Sequence, residues 1–454
     1  HVLHAPGMRA LSVPVRRCAS LTEPPARPAE TFVITTPLYY ANDVPHIGSA
    51  YSTIVADVMA RYQRLRGRPV CFITGTDEHG EKIAQAAESK GLPPHAHCDA
   101  VAAAYLRLWD RLDISYDSFV RTTDPAHGEL VKRALEEVGE RGDVFRGVYS
   151  GLYCVGCEEY KDAAELTPYC LCPIHLRPCS ERHEDNYFFR LSRHREAVLD
   201  FLSEDNPGAI VPLSRANEAR AAVQARLADF SISRAHATWG VPLPQDASQT
   251  VYVWFDALLG YLSALLAHHQ GRALSALEWK RRTGGGVRGA GAGSAVDTYA
   301  SPPSASPPAS FSALRETLLE AGWPASVQVV GKDILRFHAI YWPGMLDSLG
   351  LLPPRTLVAH GLLTRDGHKM SKSLGNSVDP HQLLDAFGCE AVRFFLVAQA
   401  ALGTDGDLSE RRLQASVNAV LANGLGNLLH RALCLLQKLQ GLSDGEESRN
   451  DADG

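Results

Sequence analysis

A chain of 454 residues is about three times the usual ~150-residue domain, which predicts two to four domains with well-buried cores and excludes a single small module. With 45% hydrophobic and 21% charged residues the composition is globular, and charged side chains interrupt every apolar run before about 20 residues, so a soluble protein with no bilayer-crossing segment is expected. The formal charge of −6, from 45 basic and 51 acidic side chains, excludes nucleic-acid binding by blanket positive charge but leaves room for a local basic face.

Residues 1–30 carry no pattern that packs a core, and Met8 to Leu21 holds Arg9, Arg16 and Arg17 without an acid, the composition of an organelle transit peptide. An untargeted disordered leader is the other reading, because Pro24, Pro25 and Pro28 would interrupt an amphipathic helix. Phe32–Thr36 is a β-branched strand, a Pro/Tyr/Asn/Asp-rich loop leads to Gly48, and Ile54, Val55, Val58, Met59, Tyr62 and Leu65 follow at helical spacing until Gly67. Val70–Thr74 is a second strand running into the polar turn Gly75–Gly80. Val251–Phe255, Val327–Val330 and Leu357–Ala359 repeat the pattern, so a parallel sheet is predicted, split around a Cys/His-rich stretch at 154–183 that reads as a separate domain. Residues 283–310, rich in Gly, Ala, Ser and Pro, have almost nothing to bury and are expected to be disordered. Near the end an apolar-rich helix at about 413–440 precedes the acidic SDGEESRNDADG, expected as a disordered tail.

Three constellations carry chemistry. His46-Ile-Gly48-Ser49 falls where loop becomes helix, so open backbone N–H groups and the helix dipole favour an anion, and Gly48 allows close approach. Alone this is an ordinary turn. Lys369 and Lys372, bracketed by Gly367 and Gly375, place two ammonium groups three residues apart in a loop able to clamp a triphosphate; a solvated basic turn is the bland alternative. Cys154-Val-Gly-Cys157 and Cys172-Pro-Ile-His175 each present two donors at the bite of a tetrahedral Zn²⁺, with Cys170 or Cys179 as substitutes and a metal-free thiol cluster as the alternative. Four protein ligands leave no open position, so the zinc would be structural.

The histidine turn after the first strand and the lysine loop after the last together resemble the two-part signature of class I aminoacyl-tRNA synthetases. Thr36-Pro-Leu-Tyr-Tyr-Ala-Asn42, Gly75–Gly80 (GTDEHG), Val253-Trp-Phe-Asp-Ala257, Gly331-Lys-Asp-Ile-Leu-Arg-Phe-His338 and Tyr341-Trp-Pro343 narrow the resemblance to methionyl-tRNA synthetases of bacterial and plant organellar type, over about 31–440. The resemblance is interrupted at roughly 272–318.

That resemblance implies an α/β fold: a Rossmann-like parallel sheet split by a zinc-knuckle connective-peptide insertion and followed by the start of an α-helical anticodon-binding bundle. The implied segments are a leader (1–30), first catalytic half (31–121), insertion (122–237), second half (238–352), lysine-loop and stem-contact region (353–412), and first bundle helix with tail (413–454). The implied reaction joins methionine to ATP as methionyl-adenylate, then passes methionine to tRNA(Met) in an organelle, mitochondrion or chloroplast. His46, Ser49, Lys369 and Lys372 would act on the reacting phosphates, and Arg234 would lie near the reacting carboxylate or pyrophosphate unless it is a surface arginine in an ion pair; Gly48, Gly331 and Asp333 would help to bind ATP, with Mg²⁺ accompanying it. Asp77 would take the methionine ammonium, and Leu38, Tyr40, Trp254, Ala257, Leu258, Tyr261, Ile334, His338 and Trp342 would form the side-chain pocket. Ser49 stands where many family members have histidine and would offer ATP a shorter, uncharged hydroxyl. Asn427 and Arg431, one turn apart on the predicted helix, match anticodon-reading positions. A monomer is expected, without a membrane partner. The alternatives are a leucyl or isoleucyl enzyme, for whose large editing insertion this chain has no room, and a truncated, catalytically impaired RNA-binding protein.

Overall fold

In the computed structural model the described residues are 30–155, 159–161, 166–173, 177–235, 237–283, 310–365, 367–370, 378–399 and 402–450. The β-branched run near the start forms β1 (Phe32–Tyr40), and after the loop come α1 (Ile47–Leu65), β2 (Val70–Asp77), α2 (Glu81–Ser89), α3 (Pro94–Arg111), β3 (Ser118–Arg121) and α4 (Pro125–Glu140). The inserted region holds β4 (Val144–Cys154), β5 (Glu159–Lys161), β6 (Ser180–Phe189), α5 (Arg195–Phe201), β7 (Ile210–Val211), α6 (Leu213–Ala225) and β8 (Phe230–Ser231). A small hairpin region follows, β9 (Ser233–Arg234), β10 (Pro242–Leu243) and β11 (Asp246–Val251). The second half comprises α7 (Val253–His269), α8 (Ala276–Thr283), α9 (Phe311–Glu320), β12 (Val327–Gly331), α10 (Trp342–Ser348) and β13 (Leu357–His360). Last come β14 (Leu363–Arg365), β15 (His368–Lys369), α11 (Pro380–Phe387), α12 (Cys389–Gln399), β16 (Gly406–Asp407), α13 (Glu410–Ser416) and α14 (Asn427–Asn450).

Six strands form the expected parallel sheet in the order β3-β2-β1-β12-β13-β7. The chain winds outward from β1 in one direction and from β12 in the other, so the switch point lies between those two strands, where open α/β sheets bind their ligands. The pairing there is short. β1 meets β12 only at Ile34↔Val327 and Thr35↔Gln328, whereas it stays with β2 as far as Tyr40↔Asp77, across an irregularity between Thr35 and Leu38. One face of the sheet is covered by α4, α7, α9 and α10, the other by α1, α3 and α12, giving two separate hydrophobic clusters.

The structure corrects several expectations. Val251–Phe255 is not a strand of the parallel sheet: β11 ends at Val251 in an antiparallel pairing with β9 and β10, and Val253 opens a helix buried along most of its length. A short apolar run does not by itself separate strand from buried helix. The insertion is not a clean block over 122–237, because β7 within it completes the parallel sheet beside β13 and α4 packs on α7; the sheet that stands apart is β5-β4-β6-β8. The interruption is narrower than 272–318, since Leu274 bridges to Phe119, Trp279 on α8 is buried, and Phe311, Leu314 and Leu318 of α9 enter the core. Residues 284–309 and the leader 1–29 lie outside the described residues.

At the other end, α13, a π-helical stretch (Val417–Gly426) and α14 run on continuously, and α14 extends to Asn450 through most of the stretch expected as a disordered tail. Helix propagation costs far less than nucleation, so a Leu-rich helix readily carries a polar extension. The stretch Glu410–Lys438 is long and apolar enough, by length and composition alone, to cross a membrane, and its most apolar part is not buried, contrary to the expectation that no segment could. Val420, Leu425, Leu428, Leu429, Leu433, Leu435 and Leu436 are its exposed large apolar side chains.

Candidate active site

The switch-point crevice is framed first by the start of α1. His46 is its N-cap, with Nδ1 accepting from the amides of Gly48 (3.1 Å) and Ser49 (3.3 Å). An accepting Nδ1 puts the neutral ring's proton on Nε2. Gly48 is required by this fold-back: a Cβ there would lie 2.9 Å from His46 Cε1 and Nδ1. The helix-start amides expected to meet an anion are therefore already satisfied by His46, and the exposed imidazole itself faces outward in their place. Ser49, expected to reach a nucleotide, is buried beside Tyr105; its carbonyl accepts from Tyr39 Oη (3.0 Å) and Thr53 Oγ1 (3.0 Å). Its place on the inward face of α1, over the stacked Tyr39 and Tyr105 rings, accounts for the difference.

Across the crevice β12 ends at Gly331, where a Cβ would lie 2.4 Å from Asp333 Oδ1, so glycine lets the exposed Asp333 carboxylate fold over the backbone. Lys332 Nζ binds Asp405 at 2.7 Å, and Asp405 Oδ1 also accepts from the Leu362 amide at 2.8 Å. His360, ending β13, donates from Nδ1 to the Gly361 carbonyl at 2.7 Å, so Nε2 accepts from Ser52 Oγ at 2.7 Å; burial pushes its pKa down. The lysine segment begins on β15, antiparallel to β14, and the Gly367 amide is tied to Asp407 Oδ1 at 2.9 Å. Met370 packs against the cluster under α1 and α12. The backbone of Lys369 thus follows the carboxyl end of the sheet, while Lys372 lies outside the described residues.

On the opposite face of the sheet an aromatic slot is assembled. α7 contributes Trp254, Ala257, Leu258 and Tyr261 at helical spacing, and a π-helical turn (Phe337–Tyr341) between Ile334 and Trp342 contributes His338. His338 Nδ1 donates to the Ile334 carbonyl (3.0 Å), so Nε2 accepts from Tyr261 Oη (2.7 Å). Burial pushes the His338 pKa down to about 4, which keeps this ring neutral. Trp254 and Phe337 stack at 3.7 Å and 4°, and Trp342 closes the floor behind Tyr261 at 6.2 Å between centroids. Leu38, Tyr40, Trp254 and Ile334 are partly exposed, with Ala257, Leu258, Tyr261, His338 and Trp342 buried behind them. Leu38 reaches α7 because position 260 is glycine, where a Cβ would lie 2.4 Å from Leu38 Cδ1. Asp77, buried at the end of β2 and paired with Tyr40, is the acid at this slot. Burial, then Tyr39 and Asp77, push the Tyr261 pKa well above the usual phenol value, which places the Asp77 charge within reach of the hydroxyl. A carboxylate at the mouth and polarisable aromatics within suit a ligand with a cationic head and an apolar, sulfur-bearing tail.

Other expected residues sit elsewhere. Arg234 is buried on β9, donating to Ser231 Oγ (2.9 Å) and the Ser233 carbonyl (2.7 Å), with its guanidinium 3.9 Å over Tyr252. It lines a small open cleft with Arg182, Tyr153, Trp239 and Gly80, between the inserted sheet and the loop after Asp77. Of the expected zinc set, Cys154 and Cys172 are buried, and Cys157 and His175 lie outside the described residues. Burial raises the Cys179 pKa, with Cys154 and Cys172 adding to it, so three thiols converge here. Among the described residues no group of three or more metal-binding side chains is complete. Asn427 and Arg431 are exposed on α14, away from the sheet edge.

Sequence reasoning missed the supports beneath Asp77. Glu78 Oε1 accepts from Thr76 Oγ1 (2.6 Å) and Arg121 Nε (2.8 Å), Trp239 Nε1 donates to the Glu78 carbonyl, and Asp256 holds His79 and His127. The available signal was Asp256 itself, an acid within the otherwise apolar stretch Val253–Leu266.

A doubly wound parallel sheet with a histidine-capped helix and a glycine-ended strand facing its switch point defines an α/β protein of Rossmann-like type. The family model described as tRNA synthetases class I (M) matches residues 32–175, 170–282 and 317–433. The chain is 49% identical over 409 residues to the chloroplastic/mitochondrial methionine–tRNA ligase of Arabidopsis thaliana, covering 90% of this chain and 60% of that protein. It is 46% identical to the methionine–tRNA ligase of Thermosynechococcus vestitus, covering 90% of this chain and 69% of that one. A structure of Mycobacterium tuberculosis methionyl-tRNA synthetase with methionyl-adenylate superposes with a TM-score of 0.75 at 37% identity, covering 90% of this chain and 72% of the other. The chain belongs to the methionyl-tRNA synthetase family of class I aminoacyl-tRNA synthetases.

Proposed function

We propose that this chain activates methionine with ATP and charges tRNA(Met). The methionine carboxylate attacks the α-phosphorus, the bond to the bridging oxygen breaks, and pyrophosphate leaves; a ribose hydroxyl of the terminal adenosine then attacks the acyl carbon and AMP leaves. Neither step needs covalent help from the protein, so positioning and charge neutralisation carry the rate. Asp77 binds the ammonium and the slot around Tyr261 takes the thioether. His46 Nε2–H, Lys369 and Lys372 neutralise phosphate charge, Gly331 and Asp333 hold the adenosine, and Mg²⁺ accompanies ATP. Arg234 serves the same phosphates or carboxylate. The observation that carries this reading is the buried Asp77 carboxylate beside an aromatic slot at the sheet's switch point.

Cys154, Cys157, Cys172 and His175 would hold a structural zinc, and the buried thiols of Cys154 and Cys172, with Cys179 close enough to interact with both, fit that role. When bound, the zinc would fasten the inserted sheet that guides the tRNA acceptor end. Asn427 and Arg431 would meet anticodon bases. An organellar site of action is supported by the Arg-rich, acid-free stretch near the start and by the similarity to the Arabidopsis chloroplastic/mitochondrial protein.

Methionine-dependent ATP–pyrophosphate exchange tests the reading. Exchange with methionine, lost in Asp77→Asn, is expected; exchange driven by leucine or isoleucine, or none with any amino acid, would overturn it.

A further inference from the structure

The loop that follows Asp77 is joined to the helix that carries the slot by one buried acid. Asp256, 1% exposed on α7, accepts at Oδ2 from His79 Nδ1 (2.7 Å) and at Oδ1 from His127 Nε2 (2.8 Å). His127 Nδ1 lies 2.8 Å from Ser263 Oγ, which donates to the Gly260 carbonyl at 3.1 Å, so the chain of bonds closes back onto α7. Asp256 stands among Trp254, Ala257, Leu258 and Tyr261 in sequence, while His79 is two residues beyond Asp77. The same loop is gripped on its other side by Arg121 and Thr76 on Glu78, and by Trp239, whose carbonyl accepts from the Gly80 amide at 3.0 Å. Burial alone would raise the Asp256 pKa, but His79 and His127 bring it well below the usual carboxylate range, so its charge persists.

A buried carboxylate with both oxygens engaged by imidazoles is a costly arrangement for stability alone, since apolar replacements of such groups are often neutral or better. What it supplies is registry. We propose that Asp256, through His79, is a positioning residue that fixes Asp77 relative to the thioether slot, so that the ammonium and the side chain of methionine are read at one set distance. This rests on the methionine reading of the slot. The bond network on the far side of Asp256, through His127 and Ser263, fixes the acid's own rotamer against α7.

The test separates the head of the ligand from its tail. Methionine and 4-(methylthio)butanoate, which has the carboxylate and thioether but no ammonium, are titrated calorimetrically into the full-length chain and its variants. In Asp256→Asn, methionine is expected to weaken about tenfold, on the scale of a displaced charge-assisted hydrogen bond, while the deamino analogue changes by less than about twofold. ATP KM in the exchange assay should not move. His79→Asn, whose amide can replace Nδ1–H, should retain methionine affinity, and His79→Leu should lose it as Asp256→Asn does. Parallel weakening of both ligands, unchanged methionine affinity in both Asp256→Asn and His79→Leu, or failure of His79→Asn to rescue would overturn the assignment. A wild-type chain that binds methionine without catalysing exchange would instead defeat the functional reading and leave the positioning result standing on its own.

Discussion

The neutral state of His338 gives a stability signature that can be isolated. In the neutral ring its two bonds fix the tautomer: Nδ1–H donates to the Ile334 carbonyl, so Nε2 accepts from Tyr261 Oη, and a second ring proton would require that hydroxyl to turn its own proton away. Burial lowers the pKa from 6.5 to about 4, so the unfolded chain binds this proton more tightly than the folded one. The contribution is fully present above the unfolded value, is lost as pH falls from 6.5 towards 4, and levels off below. The full difference corresponds to about 3 kcal/mol, of which about 2 kcal/mol is lost between about pH 7 and 5. His338→Gln keeps an acceptor for Tyr261 but does not titrate. Urea unfolding of the wild type and the variant at both pH values, read by near-ultraviolet circular dichroism, should show the wild type losing about 2 kcal/mol more than the variant. Other depressed histidines, among them His360 and His381, remain in both proteins and cancel in the comparison. Equal losses in the two proteins would refute the tautomer and burial argument.

Gly260→Ala places a methyl 2.4 Å from Leu38 Cδ1 and pushes the slot wall, so methionine KM in the exchange assay should rise several-fold with ATP KM unchanged. Gly331→Ala brings a methyl 2.4 Å from Asp333 Oδ1 and should do the reverse, raising ATP KM while leaving methionine KM alone. If the proposed zinc is bound, removing it with a chelator, verified by atomic absorption, should abolish tRNA charging before it affects pyrophosphate exchange; full charging by zinc-free protein would count against the proposed knuckle.

The parallel sheet was legible because β1, β2, β12 and β13 are buried on both faces and so read as nearly continuous β-branched or aromatic runs. Val251–Phe255 misled for the same reason: it is equally apolar, but its period becomes helical only when Leu258, Leu259 and Leu262 are counted with it. β7 is two residues long and has no sequence pattern of its own; its place depends on a distant partner, Leu357. The residues of the slot were visible as motifs, while their supports were not. Hydrogen bonds such as Asp256 to His127, separated by 129 positions, are long-range facts that local spacing does not encode. His46 was placed at a helix start from the sequence, but that it would occupy the amides of Gly48 and Ser49 depended on a side-chain rotamer.

The two ligands of the proposed reaction are approached from opposite faces of one sheet, and this constrains where the chemistry occurs. Leu38, Trp254 and Ile334 pack with the cluster around α7 and α10, whereas Met370 of the lysine segment packs with the cluster around α1 and α12. A continuous sheet would keep two such ligands apart. β1 is not continuous with β12: Pro37 has no N–H to donate, pairing stops at Thr35↔Gln328, and the strand continues beside β2 alone. A proline in a central strand usually argues against the strand; here it opens a gap at the carboxyl edge between Leu38–Tyr40 and Gly331. Tyr40, at the end of β1, touches both clusters. In the proposed reaction, with the ammonium at Asp77 and the side chain among the α7 aromatics, the methionine carboxylate would reach through that gap towards His46 and Gly331. On that reading the break in the sheet, rather than any single catalytic side chain, would let the carboxylate meet the α-phosphorus.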